Sequence, residues 1–175
     1  MSIENFKNEL PDYAKDIKLN LGVVLSEEGS PDLNQKQIMG IALASAYATR
    51  NMDVINATAD QVAAHLSPEE INGIKVAATI MAMNNIYYRF THSMDDQSYA
   101  ALPAKLRMNM MANPGIDKIT FELSSLAVSA INGCSKCMNA HATQIEKAGL
   151  SKQAIQSAVR IASVMHAAAV ASEIR

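Results

Sequence analysis

The strongest constraint on the fold of this chain is a set of helix start and stop signals that recur along it. Ser67-Pro68-Glu69-Glu70 supplies an N-cap serine, a proline in the first turn and a glutamate that can complete a capping box. Gly149-Leu150-Ser151 combines a helix-ending glycine with the cap of a new helix. Pro114-Gly115 breaks the chain just before another candidate cap, Asp117, and Glu28-Gly29-Ser30-Pro31 breaks it earlier. These signals predict helices separated by short connections.

Composition favours the same interpretation. Aromatic residues make up only 5% of the chain, tryptophan is absent, and glycine and proline are few, whereas alanine and methionine are plentiful. Strands favour β-branched and aromatic side chains, so this composition favours packed helices over sheets. We predict an all-α fold in a single domain over residues 1–175. The expected helices, with ends defined to within a few residues, are at about 2–21, 34–50, 52–65, 68–91, 99–112, 117–132, 134–148 and 151–173.

A weak internal repeat relates two parts of the chain. Residues 38–90 align with residues 122–174 without a gap, so that Leu66-Ser67 matches Leu150-Ser151. This shared helix junction is the better part of the match, since alanine-rich helices resemble one another by chance. We predict two copies of a helical unit packed together. The reactive residues described below have no counterparts in the first copy, so residues 38–90 are expected to be scaffold and residues 122–174 to carry the site.

Charge and hydropathy exclude several classes of partner. The formal net charge is −2 and no basic run is present, so a nucleic acid is not an expected partner. No stretch approaches the roughly 20 apolar residues of a membrane span. The start of the chain lacks a basic region followed by an apolar one, so no signal peptide is expected. These features predict a cytoplasmic protein that acts neither on nucleic acid nor in a membrane.

The chain has two cysteines, and they form the motif Cys134-Ser135-Lys136-Cys137, with His141 four residues further on. In a reducing cytosol such a pair indicates a redox or metal site rather than a structural disulfide. Positions i and i+3 at a helix start face one another, and the positive end of the helix stabilises a thiolate. The alternative is two small buried hydrophobic residues, which leaves the acid–base groups nearby unexplained.

Two further residues supply those acid–base groups. Glu122 lies in the preceding predicted helix within an apolar stripe, which suits it to act as a general base beside a dithiol. Its alternative is a carboxylate that reaches solvent or pairs with Lys118. His141 lies one turn after Cys137 on the same helix face, so it can take a proton from the thiol or relay one from Glu122. Its alternative is a core histidine bonded to a backbone carbonyl.

Other candidate residues carry weaker signals. Lys136 lies between the thiols, where its ammonium group either stabilises a thiolate or is solvated on the outer face. His166, on an apolar face of the last predicted helix, is interpreted as structural, with a place in a cavity wall as the alternative. His65 and His92 are interpreted as helix-end residues without a role. The methionines, including the cluster at 108–111, are interpreted as flexible core filler.

The same side chains are also zinc-ligand types, since Glu122, Cys134, Cys137 and His141 could hold a tetrahedral ion. Structural zinc sites usually use more thiolates, and the sequence lacks a second Cys-x-x-Cys or a His-x-x-x-His pair. We therefore expect neither a bound metal nor a bound cofactor.

At these residues the sequence resembles the AhpD family of alkyl hydroperoxidases, within the wider carboxymuconolactone decarboxylase superfamily. The family pattern is a glutamate, a twelve-residue step, Cys-x-x-Cys and a histidine four residues on, which here are Glu122, Cys134, Cys137 and His141. The flanking residues 129–133 and 138–141 also match. The resemblance covers nearly the whole chain in length, helical character and duplicated architecture, and it is most specific over residues 119–150.

The resemblance implies an all-α bundle, commonly a homotrimer, with a lipoyl-dependent peroxidase cycle. It implies that Cys137 attacks the peroxide and becomes a sulfenic acid, and that Cys134 resolves this acid by forming a Cys134–Cys137 disulfide. Glu122, acting through His141, would deprotonate Cys137. An external dihydrolipoyl group on a dehydrogenase-complex subunit would re-reduce the pair, and electrons could also pass to a partner peroxiredoxin, AhpC.

One residue departs from the family pattern. Many members carry a second histidine between the cysteines, where this chain has Lys136. We expect Lys136 to keep the electrostatic part of that role without the proton transfer.

Three other functions stay open from the sequence. They are a thiol–disulfide oxidoreductase without peroxidase activity, a decarboxylase-like enzyme acting on a small lactone acid, and a zinc-stabilised binding module. The decarboxylase chemistry does not need the two cysteines, so their presence argues against it.

Overall fold

The computed structural model describes residues 1–174, and these residues form nine α-helices and no β-strand. The predicted all-α class is therefore confirmed. Two short 3₁₀ turns, Asp12–Ala14 and Asn109–Met111, accompany the helices. The helices are α1 (Ile3–Glu9), α2 (Lys15–Val24), α3 (Gln35–Thr49), α4 (Met52–Val62), α5 (Pro68–Ser93), α6 (Ser98–Ala101), α7 (Lys118–Ile131), α8 (Ser135–Lys147) and α9 (Lys152–Glu173).

The predicted helix caps are present. Ser67 accepts a hydrogen bond from the backbone N–H of Glu70, whose side chain returns to the Ser67 backbone N–H, so the capping box at the start of α5 is complete. Asp117 caps α7 and Ser151 caps α9, each through a side-chain oxygen that accepts one backbone hydrogen bond. These caps place the ends of the helices that carry the site.

Two of the predicted helices are wrong in extent, and a proline explains each case. The helix predicted at 2–21 is interrupted, because Leu10 and Pro11 adopt extended backbone conformations between α1 and the 3₁₀ turn. The helix predicted at 99–112 reduces to α6 and a 3₁₀ turn, since Leu102, which precedes Pro103, is also extended. Proline disfavours helical backbone in the residue before it. The segment 102–117 consequently runs as an irregular connection along α5.

The centre of the bundle consists of α3, α7 and α9, which pack against one another. Residues 38–46 of α3 are all buried, as expected for a helix surrounded on every side. The helix α5 packs across α3 and α7, and α8 packs against α7 and α5. On the opposite side α2 covers α9, and α4 lies between α1 and α3. The site residues of α7 and α8 are therefore held against a fixed core.

The helix α9 is long and apolar enough to span a membrane by length and composition alone. In the folded chain 56% of its apolar stretch is buried, where it packs against α2, α3 and α7. The core helix of a globular bundle has these same properties, so they are weak grounds for a membrane span.

The proposed repeat corresponds to two successive groups of three helices, α3–α4–α5 and α7–α8–α9. Their lengths are 15, 11 and 26 residues in the first group and 14, 13 and 22 residues in the second. Ser67 and Ser151, which the sequence alignment matches, both cap the third helix of their group. The repeat and its division at 38–90 and 122–174 stay a prediction.

An ion pair between Lys36 and Glu70 joins the first turns of α3 and α5. The Lys36 ammonium, which donates to the carboxylate, and the backbone N–H of Ser67 hold the pKa of Glu70 below its ordinary value. A carboxyl whose pKa is lowered by folding stabilises the protein above its unfolded-state pKa. This contribution is therefore complete at neutral pH and is lost as the pH falls through the lowered pKa of Glu70.

Gly73 marks a close approach between α5 and the segment that leads into α7. A methyl group at this position would lie 2.8 Å from the backbone oxygen of Pro114 and 2.8 Å from Cγ2 of Ile116. Because neither neighbour is the end of a flexible side chain, the two segments would have to separate.

We therefore expect Gly73→Ala to lower the free energy of unfolding by about 1–3 kcal/mol, the usual cost of overpacking. Gly22→Ala in α2 is the matched control, since the nearest atom to its added methyl is Lys7 Nζ at 3.6 Å. Alanine favours a helix more than glycine does, so the control should gain up to about 1 kcal/mol. Urea unfolding of both variants measures the difference, and equal stabilities would contradict the close approach.

Candidate active site

The two cysteines lie at the turn between α7 and α8. The backbone of Gly133 has a positive φ of 68°, which lets the chain reverse within a few residues of the end of α7. Cys134 then takes the N-cap position of α8, and its Sγ accepts a hydrogen bond of 3.3 Å from the backbone N–H of Cys137. Both sulfur atoms consequently lie at the positive end of α8, where the helix dipole favours a thiolate.

Cys134 and Cys137 are joined by a disulfide, with their Cα atoms 5.3 Å apart. Cys134 is completely buried, whereas Cys137 retains a small exposed fraction of 7% at the wall of a cavity. The two sulfurs therefore differ in access: a molecule in the cavity meets Cys137 and not Cys134.

Glu122 and His141 form a close pair across the interface between α7 and α8. The Oε2 atom of Glu122 lies 2.7 Å from Nδ1 of His141, and both side chains are largely shielded from water. The other ring nitrogen, Nε2, lies 3.2 Å from the thioether sulfur of Met81 in α5. A contact of 2.7 Å requires a hydrogen between Nδ1 and the carboxylate, so the orientation of the ring is fixed. The alternative pairing of Glu122 with Lys118 is not what the structure shows.

Cys137 and His141 share one cavity, of about 300 Å³. One side comes from α8, and a second from α5, whose residues at i, i+3 and i+7 face inward. A third side comes from the irregular segment between α6 and α7. The walls are mostly apolar, and their lining residues are Met81, Asn84, Tyr88, Met108, Met111, Lys136, Cys137, Ala140 and His141. The site can therefore admit a small, largely apolar molecule to the sulfur of Cys137.

A second, smaller cavity of about 190 Å³ lies on the other side of Glu122. Lys118 of α7 and Gln144 and Lys147 of α8 line it together with Glu122. Glu122 does not line the cavity at Cys137. Glu122 thus lines the second cavity and is connected to the first through its contact with His141.

The structure brings Cys134, Cys137, His141 and Glu122 together as the sequence predicts, and it also adds cavity residues that the prediction missed. Met81, Asn84 and Tyr88 are spaced as one helix face, but nothing in the sequence indicates that this face meets Cys137. The interpretation of the 108–111 methionines as core filler holds for Met111, which packs against the core and also lines the cavity. It is wrong for Met108, which is half-buried in the cavity wall, and for Met110, which is exposed.

The remaining histidines lie away from this site. His166 is exposed on α9 and lines neither cavity, so its interpretation as a structural histidine on an apolar face is wrong. The α9 residues around it that form the core are at other positions of the helix turn. His92 lies in the last turn of α5 and His65 follows the end of α4, and both are exposed, which agrees with their interpretation as helix-end residues.

Among residues 1–174, no group of three or more histidine, cysteine, aspartate or glutamate side chains is arranged to hold a metal ion. The zinc-stabilised module therefore gains no support from the geometry.

Comparisons with known proteins agree with this arrangement. The carboxymuconolactone decarboxylase family matches residues 97–174, which include α7, α8 and α9. A protein of Coxiella burnetii named alkyl hydroperoxide reductase AhpD is 57% identical over 164 residues, which cover 94% of this chain and 93% of that protein. The chain belongs to the AhpD family. An AhpD protein of Azorhizobium caulinodans is 50% identical over 99% of this chain and 94% of its own length. One from Brucella abortus is 47% identical over 99% of this chain and 97% of its own length.

AhpD membership confirms the resemblance that Glu122, the two cysteines and His141 indicate. The decarboxylase name of the matching family describes the wider group, and the whole-length relatives carry the reductase name. The chain accordingly belongs to a family whose whole-length members are named alkyl hydroperoxide reductase AhpD.

Lys136 stands between the cysteines, and the structure places it at the rim of the cavity beside Cys137, with its side chain exposed. A positive charge that lines the same cavity as Cys137 favours a thiolate there, and its exposure to water weakens the effect.

We expect Lys136→Ala to lower the thiolate fraction of reduced Cys137 near neutral pH by roughly two- to fivefold, since an exposed charge interaction is worth up to about 1 kcal/mol. Ultraviolet absorbance of the thiolate against pH measures this. Lys152→Ala, which removes the same charge at the start of α9, is the control and should have no effect. An unchanged thiolate curve in Lys136→Ala would show that Lys136 is only a solvated surface residue.

Proposed function

We propose that this AhpD-family chain is a peroxidase that reduces alkyl hydroperoxides with Cys137 and Cys134 and is re-reduced by a dihydrolipoyl group on a partner protein. The reductant is external, and no bound cofactor takes part. We further propose that the protein works in the cytoplasm as a homotrimer. Its partners would be a lipoylated dehydrogenase-complex subunit and the peroxiredoxin AhpC.

The observation that carries this proposal is the position of Cys137. Its sulfur is at the positive end of α8, beside the Glu122–His141 pair, and it opens into an apolar cavity of about 300 Å³. A thiolate, a general base and an apolar substrate site are what the reduction of an organic hydroperoxide requires. The reductase names of the relatives support the same substrate class for this chain.

In the first step the Glu122–His141 pair accepts the proton of the Cys137 thiol. The thiolate attacks the terminal oxygen of the hydroperoxide, so that an S–O bond forms and the O–O bond breaks. The electron pair of the broken bond stays on the alkoxy oxygen, which takes the proton back and leaves as an alcohol. Cys137 is oxidised to a sulfenic acid.

In the second step the Cys134 thiol attacks the sulfur of that sulfenic acid. The S–S bond forms and water leaves, which gives the disulfide that joins the two residues in this structure. A dihydrolipoyl dithiol then exchanges with the disulfide, reaching Cys137 first because Cys134 is completely buried. The pair is restored as two thiols, and the partner carries away a lipoyl disulfide. The restored dithiol could then exchange with the disulfide of an oxidised peroxiredoxin, which would reduce AhpC and return Cys134 and Cys137 to the disulfide.

The test is the consumption of cumene hydroperoxide by the purified protein with dihydrolipoamide as the sole reductant. We expect catalytic turnover, with one dihydrolipoamide oxidised for each hydroperoxide reduced. Absence of turnover, in a protein whose disulfide is nevertheless reduced by dihydrolipoamide, would overturn the peroxidase proposal. That result would instead favour a thiol–disulfide oxidoreductase that acts on protein partners.

A further inference from the structure

Asn84 carries a buried polar group without a partner and is one of the residues that line the cavity at Cys137. It is only 5% exposed, and it lies in α5 one turn after Met81 and one turn before Tyr88, which also line the cavity. Its Oδ1 atom is shielded from solvent and has no hydrogen-bond partner among the described residues. Its amide nitrogen likewise makes no hydrogen bond to any of residues 1–174.

The next residue shows how a buried amide in this helix is normally satisfied. Asn85 donates to Ser129 Oγ at 2.9 Å, and its Oδ1 accepts from the side-chain amide of Asn132 at 3.0 Å. Asn85 thus holds α5 to α7 and has a structural role. Asn84 makes no such contact, although a buried polar group without a partner is costly to folding. The fold therefore gives no reason for an amide at position 84, and the cavity gives one.

The cavity limits what the amide could bind. Its walls are mainly methionine and tyrosine side chains, and Lys136 at the rim is the one charged group among its lining residues apart from the ionisable Cys137 and His141. An apolar molecule with a small neutral group that both donates and accepts a hydrogen bond fits these surroundings. A hydroperoxide is such a molecule, since its O–H donates and its two oxygens accept.

We infer that Asn84 binds the –OOH group of the alkyl hydroperoxide and orients it toward Cys137. This inference rests on the proposed peroxidase function and adds a substrate-binding residue to it. Because Oδ1 of Asn84 is shielded from solvent in this structure, the side-chain amide has to turn into the cavity on binding; its oxygen then accepts the hydroperoxide hydrogen, and its N–H donates to the alkoxy oxygen.

The second of these hydrogen bonds matters most for the rate. When the Cys137 thiolate attacks the terminal oxygen, negative charge develops on the alkoxy oxygen as the O–O bond breaks. A donor held at that oxygen stabilises the transition state more than the bound substrate, and the proton delivered by the Glu122–His141 pair completes the alcohol.

Asn84→Leu tests the inference, because leucine has a similar size and removes both the donor and the acceptor. We expect the rate constant for oxidation of reduced Cys137 by cumene hydroperoxide to fall by roughly 100- to 1,000-fold, as for loss of a single transition-state hydrogen-bond donor. Alkylation of reduced Cys137 by iodoacetamide and reduction of its disulfide by dihydrolipoamide should keep their wild-type rates. Thermal stability should be unchanged or higher, because no protein contact is lost.

Two further variants keep the test decisive. Asn85→Leu should unfold at a lower temperature than the wild type, which separates structural amides from Asn84. Asn84→Ala replaces Asn84→Leu if the leucine variant does not fold. Wild-type peroxide rates in an Asn84 variant, or an equal loss of peroxide and iodoacetamide reactivity, would overturn the inference and leave the peroxidase function standing. Absence of peroxide turnover in the wild type would overturn both.

Discussion

Cys137→Ser should abolish hydroperoxide reduction, with turnover below about one-thousandth of the wild-type rate, because serine cannot supply an ionised nucleophile near neutral pH. Cys134→Ser should behave differently. It retains Cys137, so it should reduce about one equivalent of hydroperoxide and then stop with Cys137 as a sulfenic acid, which no second thiol can resolve. The measurement is a single-turnover assay with reduced protein, followed by mass spectrometry of the product.

The two variants should differ because a molecule in the cavity reaches one sulfur and not the other. Cys137 meets the cavity and Cys134 is buried behind it as the cap of α8. A stable sulfenic acid on Cys134 in the Cys137→Ser variant would reverse the assignment. Retention of steady-state turnover in Cys137→Ser would show that the reaction does not use Cys137, whereas retention in Cys134→Ser would show that the external dithiol resolves the sulfenic acid in place of Cys134.

Glu122→Gln should lower the rate of hydroperoxide reduction by about 10²- to 10⁴-fold at neutral pH, the usual range for loss of a general base. Glutamine has the same shape and can still accept a hydrogen bond from Nδ1 of His141, so the ring should stay in place. What is lost is the charge that lets His141 hold the thiol proton. At alkaline pH, where the Cys137 thiol ionises without help, the variant should approach the wild-type rate.

A pH–rate profile therefore distinguishes the proposed role from simple damage to the fold. Glu146→Gln is the matched control, because it makes the same substitution at an exposed position of α8 and should leave the profile unchanged. A Glu122→Gln defect that is constant across the pH range would contradict the role of a base and indicate a structural carboxylate.

The parts of the fold that the sequence predicts are those set by local contacts. Ser67, Asp117 and Ser151 each bond a backbone group three residues away, so their capping signals can be read without knowing the tertiary structure. The two helices predicted with the wrong extent contain Pro11 and Pro103, which disfavour helical backbone in the residue before them although the surrounding composition is helical. Both errors lie outside the helices that hold the cysteines.

The candidate site likewise has a part that local sequence patterns predict and a part that only tertiary packing determines. Glu122 and His141 are 19 residues apart on two helices joined by a tight turn, so their faces and their meeting could be inferred from spacing. The side of the cavity that α5 forms could not be inferred from the sequence, because Met81, Asn84 and Tyr88 reach Cys137 only through the packing of α5 against α7 and α8. That contact joins residues distant in sequence, and no local pattern specifies it.

Glu122 and His141 line different cavities although they contact each other, and this affects how protons and substrate could move in a catalytic cycle. His141 lines the cavity at Cys137, whereas Glu122 lines the second cavity together with Lys118, Gln144 and Lys147. Glu122 can therefore exchange protons with water through the second cavity while a small organic molecule occupies the cavity at Cys137. In the proposed cycle the Glu122–His141 pair could regain its starting protonation state before the alcohol leaves. The apolar cavity would not have to fill with water between turnovers.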